Sequence, residues 1–462
     1  MTDRRLVTPA PAPLEAYAHQ FDGLFDKLNQ RNGFRRYLEG LLLPTERHKS
    51  LTGLANTEPV IGAQHRRAQA LQWFISESTW SERTLQARRL QLLLSDPLSA
   101  PTTEGVLAID EHGDRKAGDK TAHIGRQYLS NLGKIDNGVV SVTSLWADER
   151  VYYPVDFEPY TPAHHFTQGK KDPAFRTKLK LAVELVQRAL QAGFSFRAVV
   201  ADSFYGEDRG VRQGLRDLKV GYVLALKPSH TWWHPIGSIG SLEEAAQAAG
   251  WKDAQHPGQW INVVRTFRDG SQTDWWVLEV ITGPYGPHKQ HRAIVATTDP
   301  VTLPVTSTMY LITNLPHPDH AAGYWSGLLP ATLEEIVWLC GLRMWIEESY
   351  KQVKHVLGWS EYQVRSDQAI RRHWQLVCCA FAFCWHHQHD AVQPGVPLEV
   401  LPSSATETGE KKPSGSAARP QVSWPQALRA VRSWLEPWVL LQRYWRAWSN
   451  APPPPALQRL LD

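Results

Sequence analysis

The sequence predicts an α/β protein: a mixed sheet with helices on both faces, a β-rich insertion, and helical segments at either end. Three observations predict it. Amphipathic helical spacing fills residues 1 to about 96; short apolar runs, two of them ending in aspartate, follow from residue 105; and a stretch rich in helix formers, 340–354, comes after a series of short strands. The bulk composition agrees. With 42% hydrophobic and 21% charged residues the chain reads as soluble and globular, and 462 residues call for two to four structural units. A net charge of +4 is compatible with nucleic acid but too small to argue for it. Twenty tryptophans offer base-stacking platforms, although most must be core. The four cysteines form no Cys-x-x-Cys pair, and the start, Met-Thr-Asp-Arg-Arg-Leu-Val-Thr-Pro, lacks the apolar core of a signal peptide. The longest apolar run, Leu376 to Trp385, is about half a membrane span, so a cytoplasmic protein without membrane contact is expected.

Taken in order, Leu14 to Asn29, Phe34 to Leu43 and Gln64 to Phe74 have helical spacing. Arginines and lysines recur along these segments among acids, which suits a charged helical surface or a DNA-binding domain, and no helix-turn-helix stands out. Pro97 to Thr103 marks a boundary. Gly105-Val-Leu-Ala-Ile-Asp110 is a strand ending in an acid, followed by a polar stretch to about Ile135, then strands at Gly138–Trp146 and Val151–Phe157 in an antiparallel meander. Thr177 to Ala192 is an amphipathic helix, and Phe196-Arg-Ala-Val-Val-Ala-Asp202 repeats the form of the first strand. A short helix, Asp208–Leu218, leads to the strand Gly221–Lys227. This β-β-β-α-β-α-β order is that of a ribonuclease-H-like domain. From Pro228 to Pro330 a hairpin (Ile261–Phe267 with Trp275–Ile281) and strands at Ala293–Thr297 and Thr308–Thr313 form the insertion. Arg371–His389 is a mostly buried helix, 391 to about 423 is a Pro/Ser/Gly-rich linker, and Trp424–Trp448 is a Trp-rich helical tail.

At about 100° per residue, Cys340, Arg343, Glu347 and Lys354 share one face of a single helix, so a carboxylate is flanked by two cations. Taken alone, that pattern is better explained by a solvated face with an (i, i+4) ion pair; what precedes it in the chain changes the reading. Asp110 and Asp202 taken singly are turn or cap residues. In the proposed sheet, however, their strands are neighbours, and the helix after the last strand would carry Glu347 over them. Three clustered carboxylates repel unless cations bind, and oxygen-only ligands suit Mg²⁺ or Mn²⁺. Two such ions would activate an attacking oxygen and stabilise a leaving one in phosphodiester displacement.

Arg343-x3-Glu347-x6-Lys354 resembles the Y-x2-R-x3-E-x6-K signature of one group of DDE insertion-sequence transposases. The blocks Ile109-Asp110-Glu111 … Lys116-Ala-Gly118 … Gly125-Arg-Gln-Tyr128 … Gly133-Lys134 … Asn137, Val200-Ala-Asp202-Ser-Phe-Tyr-Gly206 and Leu357-Gly358 … Tyr362-Gln-Val-Arg-Ser366 are similar to the same group. Cys340 stands where the signature has tyrosine, and a thiol cannot reproduce a phenol's hydrogen bond to phosphate. The resemblance implies a ribonuclease-H-like catalytic domain that cleaves transposon ends and joins them to target DNA. Asp110, Asp202 and Glu347 would be the catalytic metal ligands for two Mg²⁺ or Mn²⁺ ions. Arg343, Lys354, Lys351, Arg126, Gln127 and Lys134 would contact DNA. Trp232, Trp233, Trp275 or Trp276, from the insertion, would stack where a flipped base was. The domains expected on this basis are 1–99 (helical, DNA-binding), 100–230 and 331–390 (catalytic), 231–330 (insertion), 391–423 (linker) and 424–462 (tail). A homodimer on transposon-end and target DNA, at the nucleoid, completes the expectation. A hydrolytic nuclease without strand transfer, or a domesticated non-catalytic DNA-binding protein, would share much of this pattern. Cys378, Cys379, Cys384, His386, His387 and His389 are close in sequence but lie on an apolar helix, where cysteines serve as small buried residues rather than zinc ligands. His164 and His165 receive no function.

Overall fold

The structure, a computed structural model, describes residues 12–45, 47–57, 61–130, 132–233, 239–266, 272–281, 283–319, 327–390 and 422–448. The chain divides into two compact units, Met1–Leu85 with Gln352–Gln363 and Arg371–Asp462, and Gln86–Lys351 with Val364–Ile370. The first is helical. It opens with α1 (Ala12–His19), α2 (Leu28–Leu42), α3 (Leu51–Leu54), α4 (Arg66–Ser76) and the start of α5 (Glu82–Ser95). The single helix expected over Leu14–Asn29 is broken: α1 ends at His19, a 3₁₀ turn covers Asp22–Leu24, and α2 begins at Leu28. Asp22, Gly23 and Asp26 are poor helix formers in what would have been its interior. The break also leaves Asp22 free to join Glu15 in holding the buried Arg35, whose guanidinium lies 2.7 Å from Asp22 Oδ1 and 2.5 Å from Glu15 Oε1.

The second unit is built on a ten-stranded mixed sheet. Its elements are β1 (Val106–Arg115), β2 (Gly125–Leu129), β3 (Lys134–Ala147), β4 (Tyr152–Tyr160), α6 (Lys178–Gln191), β5 (Ala198–Ala201), α7 (Ser203–Gly206), α8 (Arg209–Asp217) and β6 (Tyr222–Ala225). The insertion follows with β7 (Thr231–Trp233), β8 (Ile239–Ser241), α9 (Leu242–Gln247), β9 (Ile261–Thr266), β10 (Gln272–Val280), β11 (Arg292–Thr297) and β12 (Thr308–Thr313), and the unit closes on α10 (Leu333–Gly341) and α11 (Met344–His355). Strands run in the order β2-β3-β1-β5-β6-β12-β11-β10-β9, with β4 also on β3. Val106 to Ile109 and Ala198 to Ala201 are buried throughout, the uninterrupted apolar pattern of strands covered on both faces. Thr177 caps α6, accepting from Lys180 N, and Leu181, Leu185, Val186 and Ala189 bury its apolar stripe. Two features differ from expectation. The polar stretch before Ile135 contains β2, an edge strand whose residues alternate between buried and exposed. And the insertion continues the main sheet, because β12 pairs antiparallel with β6 through Leu311↔Ala225 and Thr313↔Val223.

The helical unit resumes along α12 (Asp367–Asp390) and ends on α13 (Trp424–Trp448). Arg372, buried on α12, donates to the carbonyls of Ile75, Ser78 and Trp80, and Trp374 stacks on Trp359 at 4.8 Å. Trp424 stacks on Phe381 at 4.6 Å. Most of the expected linker, 391–421, lies outside the described residues. Among the described residues no helix is long and apolar enough to cross a membrane.

Candidate active site

β1 and β5 run parallel, and their register ends on Ile109↔Ala201. The next residue in each case is an aspartate, so Asp110 and Asp202 lie side by side; β5 ends there, but β1, expected to end at Asp110, runs on to Arg115 because it stays paired with β3. Asp202 stops β5 by capping α7: its Oδ1 accepts from Phe204 N at 3.0 Å. Asp110 Oδ1 accepts from Glu111 N at 2.7 Å. Burial, and then the neighbouring Asp202 charge, push the Asp110 carboxyl up to about 7. Burial also raises Asp202; Arg343 acts to lower it and Glu347 to raise it further. Glu347 lies in the first turn of α11, more than half exposed, with Oε1 3.1 Å from Arg343 Nη2. Asp110, Asp202, Glu347 and Arg343 therefore form one electrostatic group. As they stand, no three or more His, Cys, Asp or Glu among the described residues converge closely enough to hold a metal ion.

The helix that carries Glu347 is not the one expected. Cys340 belongs to the end of α10, Arg343 sits in the turn that follows, and α11 starts at Met344. Arg343 N bonds to Cys340 O and Ile346 N to Arg343 O, the tight i→i+3 pattern of a turn between helices. The shared helical face of Cys340, Arg343, Glu347 and Lys354 is thus corrected: Gly341, a poor helix interior residue, ends α10. Arg343 and Glu347 still meet, and Lys354 lies in the last turn of α11, in the helical unit. Cys340 Sγ rests 3.7 Å from Met309 Sδ, and burial pushes its thiol pKa up. A cleft of about 520 Å³ opens beside this turn, lined by Arg343, Glu347, Cys340, Met344 and, from β9, Arg265.

The other sequence candidates are placed as follows. Arg126 and Lys134 are exposed on β2 and β3. Gln127 donates its amide to Gly138 O at 2.9 Å, which ties it to the sheet. Lys351 pairs with Glu348 at 2.5 Å. Trp232 is buried edge-on to Tyr285 and Trp275 is buried on β10, and among the described residues neither indole N–H meets an acceptor. Trp276 is half-buried and packs on Trp251 at 4.5 Å; the side chain of Trp233 lies outside the described residues. Cys378, Cys379 and Cys384 are buried in α12, and His387 Nε2 accepts from the Trp434 indole at 3.0 Å.

Sequence reasoning missed Tyr350. One turn beyond Glu347, its hydroxyl lies 2.5 Å from Thr143 Oγ1, and Thr143 is the β3 partner of Asp110. It pins α11 over the strand that bears the first acid. Lys178 likewise pairs with Glu111, next to Asp110, at 2.9 Å.

The model of the DDE superfamily endonucleases matches residues 21–274 of this chain, more than half its length. The chain belongs to this family. A protein of Microchaete diplosiphon described as a probable transposase for insertion sequence element IS701 is 30% identical over 366 residues, covering 78% of this chain and 85% of that protein. As a DDE endonuclease the chain is a DNA-cleaving enzyme dependent on a divalent metal. The oxygen chemistry of these acids suits such an ion: burial and neighbouring negative charge hold Asp110 and Asp202 above the usual carboxylate range, a cost that a bound hard cation relieves.

Proposed function

We propose that this DDE endonuclease is an insertion-sequence transposase that cuts at transposon ends and joins the freed 3′-hydroxyls to target DNA. The observation that carries the reading is the β1–β5 register, which sets Asp110 beside Asp202, with Glu347 in electrostatic contact. Asp110, Asp202 and Glu347 would hold two Mg²⁺ or Mn²⁺ ions; when bound, these would activate the attacking oxygen and neutralise the leaving one. Arg343, held in the turn before α11, pairs with Glu347 and lines the cleft, where it would meet a strand phosphate. Lys351, Arg126 and Lys134 on the sheet-bearing unit, and Lys354 on the helical unit, would contact DNA, while Gln127 would support its strand. Among the described tryptophan side chains of the insertion, Trp276 would be the candidate for base stacking, since Trp232 and Trp275 are buried. The helical segment 1–99 serves as a DNA-binding domain, 100–230 and 331–390 as the catalytic domain, and 391–423 links to the tail. The active form is a homodimer on DNA, at the nucleoid.

The test is cleavage of end-bearing DNA in Mg²⁺. Asp110→Asn, Asp202→Asn and Glu347→Gln are each expected to abolish cutting while end binding persists. Normal cutting by Glu347→Gln would overturn the assignment. Cut but unjoined products would point to a hydrolytic nuclease, and binding without metal-dependent cutting to a domesticated DNA-binding protein.

A further inference from the structure

We propose that Arg265 reaches from the insertion into the active-site cleft to grip a backbone phosphate of the DNA strand. The inference rests on the transposase reading and adds to it a substrate contact at the end of the cleft where the family signature has tyrosine and this chain has Cys340.

Arg265 sits on β9, the edge strand of the sheet, half-buried, and lines the same cleft of about 520 Å³ as Arg343 and Glu347. Its guanidinium lies against the bare backbone of Gly341: a Cβ at that position would collide with Nη2 and Cζ. The last two residues of α10 therefore work as a pair. Gly341 makes room for the arginine, and Cys340 turns a sulfur toward Met309 Sδ at 3.7 Å. Two soft sulfur atoms offer a phosphate no strong donor. The guanidinium beside them does, since its planar fork matches two phosphate oxygens at once. Arg265 and Arg343 both act electrostatically on the Cys340 thiol, so two cations flank one short turn. The Trp275 ring, 5.9 Å from the guanidinium carbon, supports the side chain from behind without competing for an anion.

The test uses the full chain and a labelled duplex bearing the element's end, with an unrelated duplex as control. Binding is followed across a salt series, cleavage in Mg²⁺, and folding by thermal midpoint. Arg265→Gln, which keeps most of the side-chain volume, is expected to weaken end binding about tenfold and to reduce the slope of log affinity against log salt by about one unit. Gly341→Ala, which displaces the guanidinium without removing its charge, is expected to weaken binding in the same direction. Cys340→Tyr added to Arg265→Gln is expected to restore part of the affinity, a rescue that a merely structural role for Arg265 would not give. An Arg265→Gln protein with undiminished slope and affinity, beside a wild type that binds and cuts, overturns the role of Arg265 alone. A wild type that neither binds nor cuts end DNA in Mg²⁺ overturns the transposase reading and this inference with it.

Discussion

Tyr350 shows how a single hydroxyl sets the geometry of a distant acid. Its oxygen meets Thr143 across 207 residues of sequence, and its ring lies 4.8 Å from that of the buried His112, two residues beyond Asp110 on β1. Tyr350→Phe removes the hydroxyl and keeps the ring. We expect a stability loss of about 1 kcal/mol, the net worth of one such bond. We also expect kcat to fall roughly tenfold with end affinity unchanged, because α11 loses its register over β1 while the DNA-facing cations stay. Single-turnover cleavage alongside binding measurements separates the two, and a loss confined to affinity would refute the role. Asp110 and Asp202 were legible in the sequence because each closes an apolar run and two such runs in one sheet suggest convergence, although only Asp202 ends its strand, β1 continuing to Arg115. Tyr350 was not. A tyrosine in a helix can face any direction, and its partner is a threonine on a strand that no local pattern connects to it.

Elements that carry their own start and stop signals were readable before the structure. α6 and α8 begin after Thr177 and Asp208, each accepting a backbone N–H, where sequence alone would put them. The α10–α11 break was missed because one glycine in a run of good helix formers is a weak stop signal, and what reinforces it here, the Arg265 side chain, comes from another strand. A histidine bridging β6 and α8 gives a pH dependence. His291, just before β11, sits between Tyr222 on β6 and Arg216 on α8. A guanidinium can only donate, so Nε2 is bare and Nδ1–H donates to the tyrosine oxygen at 3.0 Å. Burial and then the Arg216 and Arg212 charges lower its pKa from 6.5 to about 4. The unfolded chain therefore binds the extra proton between those values. The stabilisation from neutral His291 is complete above pH 6.5 and is lost as pH falls toward 4. Allowing for solvent screening at a half-buried site, that is about 1–2 kcal/mol. Urea midpoints of wild type and His291→Gln should thus differ most near neutrality and converge in acid; a constant gap would show that the imidazole does not titrate in this window.

For the sheet-bearing unit as a whole, the insertion is part of the frame. Its last strand, β12, completes the hydrogen bonding of β6, and the residues around it are tied to the core: Thr313 Oγ1 donates to Tyr222 O at 2.6 Å, and Asn314 accepts from Tyr222 N and donates to Val220 O. Arg292, buried at the start of β11, pairs with Glu279 at 2.8 Å and donates to Ala331 O at 2.7 Å, at the entry to α10. The path from insertion to α10 to α11 ends on Glu347, so the third acid is held by residues that read as an appendage in sequence. Strand spacing revealed the hairpin but not that its sheet fuses with the catalytic one, because pairing between β6 and β12 joins strands whose separation in sequence carries no local signal. If the insertion is part of the frame, replacing residues 228–315 with a short Gly/Ser linker leaves Asp110, Asp202 and Glu347 in the chain yet destroys cleavage. It also strips β6 of its antiparallel partner, and Val223, Leu224 and Ala225 then form an apolar edge open to pairing with other chains. The deletion protein should elute as aggregates in size-exclusion chromatography and show no metal-dependent cutting. A monodisperse deletion protein that still cuts would mean that the catalytic strands and α11 hold Glu347 in place by themselves.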